Sequence, residues 1–372
     1  MKYDYLIIGA GLFGSIFAYE ANKLGKSVLV IDKRSHIGGN CYTEKYEDYH
    51  IHKYGAHIFH TSKKHIWDYV NQFTTFRFYS HRVKSFYQNK LYSMPINLIT
   101  LNQIWPDVKT PEQAKKRINS EKLYIPEPQN LEEQILSQVG PTLYEMFIKG
   151  YTTKQWGRSP ADLPSYIIKR LPIRYNMNER YYHDTDLYEG LPINGYTELF
   201  ENLLKGIKVE LNVDFNSDRN YWNQKSNKIV YTGQIQQYFD HMFGNLEYRS
   251  LRFENKEIDN SDFQGTSVVN YPSLEESYTR IIQHRYFNLS ESKKDFITYE
   301  YPENYDSKSS EDPYYPVNTL ENIDIYEKYL YFANKYCPYL ILGGRLGLYK
   351  YLDMDKTIEL ALEAVNKEFA GI

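Results

Sequence analysis

The chain has 372 residues but only two cysteines, Cys41 and Cys337, far too few for a disulfide framework. That usage fits a reducing compartment, and the expected location is the cytoplasm. Excess charge of either sign is also lacking: 44 Lys and Arg stand against 47 Asp and Glu, a net charge of −3. A near-neutral balance gives no reason to expect nucleic acid or an anionic membrane as a partner. No apolar run approaches the ~20 residues that cross a bilayer. The apolar start from Tyr5 to Ala18 is interrupted by Gly9, Gly11 and Gly14 and has no clean cleavage site, so it does not read as a secretory signal. Repeats, low-complexity tracts and a metal-ligand spacing are missing as well. Tyrosine is abundant, with 39 scattered copies, and its flat apolar body with a polar tip suits sugar and base contacts. The length favours two or three packed domains.

The first forty residues carry the strongest local signal. Tyr3 to Ile8 form a short apolar run, Gly9-Ala10-Gly11-Leu12-Phe13-Gly14 follows, and Phe13 to Lys23 are helix-compatible. Ser27 to Ile31 form a second buried strand ending at Asp32. This is the strand–turn–helix–strand order of a dinucleotide site. Gly9 permits the tight turn, Gly11 lets the backbone approach a pyrophosphate, and Gly14 allows close helix–strand packing. The helix start offers unpaired N–H groups and the positive end of its dipole to phosphate. Asp32, 18 residues after Gly14, can accept from a ribose diol. A second Gly-Gly, at Gly38 and Gly39, favours an extended FAD over NAD. The late Gly343-Gly344-Arg345, followed by a helix, fits a segment passing the flavin.

Further along, Asn130 with Glu133 opens a helical stripe through Leu131, Ile135, Val139 and Leu143. From about Asn212 to Gly265 the chain reads as β-rich pieces, including Lys228–Thr232. With Ser267–Tyr271, they point to a sheet separate from the parallel one. Glu303 to Pro316 reads as a polar loop. Tyr339–Leu342 reads as a last buried strand, and Asp353–Phe369 as an amphipathic helix with Ile358, Ala361, Leu362 and Val365 on one face. Lys149 to Gly157 places Tyr151 and Trp156 just after the capped helix. Arg170 and Arg174 flank Pro172, where guanidinium forks suit phosphate contact, although two arginines in a loop are more often solvated.

Taken in order, the segments IIGAGLFGS, DKRSHIGGN, HKYGAHIFHT, IKGYTTKQWGRSP, IIKRLPIR, YTRIIQHRYF, DPYYPVN and GGRLGLYKYLDM resemble bacterial UDP-galactopyranose mutase over the whole chain. The resemblance implies an α/β fold: a Rossmann-like FAD-binding domain of interrupted sequence (1–75, 185–245 and 320–372), an inserted helical domain (96–170) and an antiparallel sheet domain (76–95, 171–184 and 246–319). It implies a redox-neutral isomerisation of UDP-galactopyranose to UDP-galactofuranose on reduced FAD, through a flavin N5–sugar adduct, in a homodimer. No protein nucleophile is then needed, and none is evident.

By the same resemblance Arg170 and Arg280 are the catalytic-site arginines. Tyr181, Tyr315 and Tyr351 face the diphosphate, Tyr151 and Trp156 the uridine, and Arg174 and Asn270 complete the substrate side. Phe13, Lys33, Asn40, Gly39, Gly344, Asp353, Tyr351, His57, His60, Arg249 and Arg345 join Gly11, Gly14 and Asp32 around the cofactor. Asp32 stands where the wider flavoprotein class often has Glu. Two rivals share parts of the pattern. A flavin amine oxidase or desaturase would need an apolar tunnel, and a binding protein of the GDP-dissociation-inhibitor type would hold no flavin.

Overall fold

The computed structural model describes residues 2–165, 173–259, 262–288, 290–306 and 312–370. Its organising layer is a five-stranded parallel sheet in the order Lys208–Leu211, Val28–Asp32, Tyr3–Ile8, Ser226–Tyr231, Leu340–Leu342. Val28–Asp32 is buried throughout, and the second halves of Tyr3–Ile8 and Ser226–Tyr231 are apolar and buried, because both faces are covered, as a parallel sheet requires. The first helix, Leu12–Lys23, and the last, Met354–Glu368, pack on one face. Tyr5, Phe17 and Phe369 meet there at ring-centroid distances of 5.5 to 6.2 Å. Ile358, Ala361 and Val365 are buried in the last helix, and Leu362 is half-buried. On the other face Leu29, Ile31, Ile229 and Tyr231 pack with Phe215 and Trp222.

The strand Ser226–Tyr231 corrects the expectation that Lys228–Thr232 belongs to a second sheet. It pairs in parallel with Tyr3–Ile8, residue for residue from Tyr5↔Lys228 to Ile8↔Tyr231. Its local composition does not distinguish the two placements; the long-range pairing does.

The second sheet has seven strands, ordered Pro313–Pro316, Tyr248–Asp259, Lys294–Asn304, Arg280–Gln283, Val268–Asn270, Val83–Tyr87, Lys90–Met94. It is antiparallel apart from one parallel junction, between Val268–Asn270 and Val83–Tyr87. The stretch expected as a loop from Glu303 to Pro316 therefore contains a paired edge strand, with Arg249 opposite Tyr315. A small sheet of Phe59–Thr61, Tyr188–Pro192 and Phe76–Phe78 links the two larger ones in sequence.

The helical segment comprises Leu98–Ile104, Pro111–Glu121, Leu131–Leu143 and Lys149–Trp156. Asn130 caps the third of these as expected, its side chain accepting from the Glu133 N–H at 2.9 Å. That helix kinks at Gly140, where φ is +79° and a Cβ would lie 2.2 Å from the Glu121 carbonyl oxygen.

Gly14 shows why the first helix tolerates no side chain there: a Cβ would lie 2.0 Å from the Gly9 carbonyl oxygen. Main chain cannot give way as a flexible side chain can. Gly14→Ala is expected to cost about 2–3 kcal/mol of unfolding free energy in urea titration, from overpacking against backbone. Gly25→Ala, which meets nothing within 4 Å and pays only for its φ of +76°, should cost about 1 kcal/mol. Equal losses at both positions would show that the helix–strand approach is not what limits the site.

Candidate active site

The two glycine motifs come together at the carboxyl end of the parallel sheet. Asp32 ends the second strand, and its Oδ2 accepts from the Ala10 N–H at 2.7 Å while Oδ1 accepts from the Arg34 N–H at 2.8 Å. The Gly38 N–H donates to the Ala10 carbonyl at 2.8 Å, folding the second turn back on the first. Gly38 and Gly39 have φ of +94° and +55°, and a Cβ on Gly39 would sit 3.1 Å from the Gly11 Cα. Gly11 is the residue before the first helix and no side chain caps the turn. Its N–H donors are left for something else.

These turns line a cleft of ≈ 260 Å³. It continues past Phe13, Lys33, Asn40, His57 and Thr232 to Gly344 and Arg345, with Asn216 and Gln237 at another part of its wall. Phe13 is fixed because its ring lies over Gly343, where a Cβ would fall 2.0 Å from Cε1. Asp312 bridges the chain's distant parts: it pairs with Lys33 at 2.5 Å and with Arg34 at 2.5 Å. Burial works to raise the Asp312 carboxyl, but Arg34 and Lys33 outweigh it and hold it below the usual carboxylate range. Arg34 also lies over the Tyr54 ring at 4.2 Å. Arg345 donates to the carbonyls of Leu352 at 2.7 Å and Tyr314 at 3.3 Å, with the Tyr351 ring 4.9 Å away.

A second cluster adjoins this cleft through His57. Arg280 pairs with Glu300 at 2.7 Å across adjacent strands, and Asn270 stands opposite Arg280 on the other side. Burial works to lower the Arg280 guanidinium, but Glu300 prevails and holds it well above its ordinary value. Its Nε is buried with no hydrogen-bond partner, a donor left for a ligand. Burial pushes up the phenols of Tyr151, Tyr181 and Tyr315, and Arg280 is close enough to pull each of them back. Tyr315 stacks on Tyr351 at 5.5 Å, and Tyr181 feels Tyr351 and Asp353. Arg280, Asn270, Tyr151, Tyr181, Tyr315, Tyr351 and Asp353 therefore gather in one cluster. Trp156 is half-buried at the end of its helix, packed on the main core.

Three expected residues are committed elsewhere. Arg249 donates to the carbonyls of Gln155 at 3.0 Å and Lys154 at 3.1 Å and to Asn304, so it ties the end of the helix Lys149–Trp156 to the sheet and does not line the cleft. Arg174 is buried and donates to the carbonyls of Arg180 and Tyr182, with Asp184 at 3.4 Å. His60 pairs with Asp186 at 2.8 Å and stacks on Tyr182 at 3.6 Å, away from the cleft lining. Arg170 lies outside the described residues.

The roles of Glu300, Asp312 and Lys154 are visible only in the structure. The Lys154 ammonium lies within 2.6 to 2.9 Å of the carbonyls of Tyr271, Ser273, Glu276 and Tyr278. It thus pins the loop between Asn270 and Arg280 to the helix bearing Tyr151 and Trp156. Burial lowers its pKa to about 8. Its sequence setting, between Thr153 and Gln155, carries no signal of this; the four acceptors are main chain.

Burial also pushes down four imidazoles around the site: His57 to about 4, His81 and His284 to about 3, and His52 well below 6.5. Each is neutral when folded and binds a proton near pH 6.5 when unfolded. Their contribution is therefore full above about pH 6.5 and is lost as pH falls toward 4, at about 1.4 kcal/mol per pH unit for each histidine. Urea titrations between about pH 7 and about pH 5 should show a steep loss before most carboxylates titrate. A flat profile would show that these histidines are protonated in the fold.

A family model described as UDP-galactopyranose mutase matches residues 146–351, and a NAD(P)-binding Rossmann-like domain model matches residues 7–73. A probable UDP-galactopyranose mutase from Klebsiella pneumoniae is 38% identical over 99% of this chain and 95% of that protein. A dTDP-fucopyranose mutase from Escherichia coli is 37% identical over 97% of each. The fold is similar to a crystal structure of reduced UDP-galactopyranose mutase, with TM-score 0.76 and 13% identity over 99% of this chain and 96% of that one. The chain belongs to the UDP-galactopyranose mutase family.

Proposed function

We propose that the chain isomerises UDP-galactopyranose and UDP-galactofuranose without net redox change, using FAD in the cleft between the two glycine turns. The observation that carries the reading is the Arg280–Glu300 pair ringed by Tyr151, Tyr181, Tyr315 and Tyr351 and adjoining the cofactor cleft at His57. A diphosphate needs fixed cationic and phenolic donors beside the reacting centre.

The residues present fit the cofactor. Gly11 and Gly39 make a cradle without side chains beside the open start of the first helix, which suits a pyrophosphate. Bound and reduced, FAD supplies the nucleophile for the anomeric carbon. The chain's own residues do the rest. Arg280 keeps Nη2 in ion-pair contact with Glu300 and offers its unpartnered Nε to the phosphates. The tyrosine hydroxyls stay protonated because burial raises them, so each can donate to a phosphate oxygen. His57 is neutral, with Nδ1 2.8 Å from the Gly55 carbonyl. Nδ1 therefore carries the ring proton and Nε2 is left as an acceptor. Arg170 is the second guanidinium in this reading, homodimer the assembly and cytoplasm the compartment, all on the family resemblance.

The near-equal identity to a dTDP-fucopyranose mutase supports a second reading, a dTDP-6-deoxyhexose substrate at the same site. Turnover of UDP-galactopyranose against dTDP-fucopyranose on dithionite-reduced enzyme distinguishes them, and a colourless protein that binds no FAD would sink both.

Gly11→Val separates cofactor from fold. A Cβ there meets only the Gly39 Cα, at 3.8 Å, and φ is −82°, so the chain should still fold while the added methyls occupy the cradle. The expected variant melts cooperatively but purifies without FAD; stoichiometric flavin would displace the pyrophosphate from this turn.

Arg280→Ala should retain FAD and lose roughly a hundredfold in kcat/KM, about 3 kcal/mol of transition-state stabilisation, with Arg280→Lys recovering only part. Near-normal kcat/KM with UDP-galactofuranose in the alanine variant would remove this cluster from the site.

A further inference from the structure

The turn from Lys53 to His57 touches both halves of the site. His57 lines the cofactor cleft. Gly55, with φ of +90°, passes so close to the ion pair that a Cβ would lie 3.1 Å from Glu300 Oε2 and 3.5 Å from Arg280 Nη2. Lys53 pairs with Glu44 at 3.0 Å and Tyr54 with His36 at 2.6 Å, so the turn's own side chains tie it to the 36–44 segment and do not set its height against the seven-stranded sheet. A ladder of two buried imidazoles does so instead. The His57 N–H donates to His52 Nδ1 at 3.1 Å, and the His52 N–H donates to His284 Nδ1 at 3.2 Å. On the far side His284 Nε2 is 2.8 Å from Thr298 Oγ1, whose hydroxyl donates to Asn255 Oδ1 at 2.8 Å.

The donors fix the tautomers. Both Nδ1 atoms accept main-chain N–H groups, so both rings carry their proton on Nε2, and the His284 Nε2–H donates to Thr298. His284 follows the strand Arg280–Gln283, and Thr298 lies on Lys294–Asn304, the strand that carries Glu300. The ladder thus runs from the strands that hold Arg280 and Glu300 to the residue at the cofactor cleft. His52 also packs its ring on Phe287 at 4.6 Å, which by itself any flat apolar ring could do.

We propose that His52 and His284 are positioning residues, whose Nδ1 acceptors hold the 53–57 turn at the height that places His57 at the cofactor cleft and Gly55 against the Arg280–Glu300 pair. The consequence for turnover rests on the function proposed above; the hold on the turn does not.

Two substitutions separate acceptor from packing. His52→Phe keeps a ring on Phe287 and removes the acceptor, leaving the half-buried His57 N–H without its partner. His52→Asn removes the ring but keeps an oxygen two bonds from Cβ, where Nδ1 stood. Hydrogen exchange of residues 53–57 in the purified full chain should be at least about tenfold faster in His52→Phe than in the wild type, and within about threefold of wild type in His52→Asn. In the same preparations kcat for UDP-galactopyranose should fall about tenfold in His52→Phe with KM within about twofold, and His52→Asn should recover most of it. His284→Gln keeps a donor toward Thr298 but withdraws the acceptor, so exchange at His52 should quicken; it serves where His52→Phe does not fold. Unchanged exchange in the phenylalanine variant, or an asparagine variant no better than phenylalanine, overturns the proposal. A wild-type chain inactive on UDP-galactopyranose would overturn the proposed substrate alone, since the exchange comparison still decides the ladder.

Discussion

The site depends on the Asp32 carboxylate accepting the Ala10 N–H at 2.7 Å. That bond closes the first glycine turn against the end of the second strand, and the Gly38 N–H on the Ala10 carbonyl brings the second turn onto the first. A Cβ on Gly39 would press on the Gly11 Cα at 3.1 Å, so this close approach calls for glycine at Gly39, whose φ is +55°, while the missing side chain of Gly11 leaves the space beside the helix start open. The same carboxylate also accepts the Arg34 N–H, and Arg34 in turn holds Asp312 from far along the chain. One acidic side chain thus orders the helix start, the second turn and the entry of the seven-stranded sheet.

The sheet contributes by register. Arg280 lies between Asn270 and Glu300 on neighbouring strands, so the position of the guanidinium is set by main-chain pairing. Pairing a buried arginine with a buried glutamate is costly in desolvation and brings little net stability. What it provides here is placement: Glu300 Oε2 lies 2.7 Å from Nη2, and the buried Nε is left without a partner. Lys154 repeats the logic with main-chain acceptors, joining the loop before Arg280 to the helix of Tyr151.

Legibility in the sequence follows how far apart the partners lie. The glycine turns, Asp32 and the Asn130 cap are readable because each signal and its consequence fall within a short stretch. The strand Ser226–Tyr231 reads equally well in either sheet, and only its pairing with Tyr3–Ile8 across more than two hundred residues decides it. Arginines are the hardest. Arg249 and Arg174 sit in motif-like surroundings, yet their donors are spent on the carbonyls of Gln155 and of Arg180, acceptors that every residue carries and no composition reveals. Arg280 differs from them only in the neighbour that register gives it.

The histidines follow from the same constraint. A site built around a bound cofactor and an anionic substrate has its positive charge set by Arg280 and Arg345, and another cation beside them would be repelled. Burial keeps His52, His57, His81 and His284 uncharged. Neutral imidazole is also a side chain that can accept a main-chain N–H on one nitrogen and donate from the other within a flat, packable ring. A carboxylate would accept but bring charge, and a phenylalanine would pack but leave the donors of the 52–57 turn unpaired. The turn between the two halves of the site is therefore held by two imidazoles that burial keeps neutral, and it carries a third, His57, whose neutral state Arg345 and Arg280 reinforce.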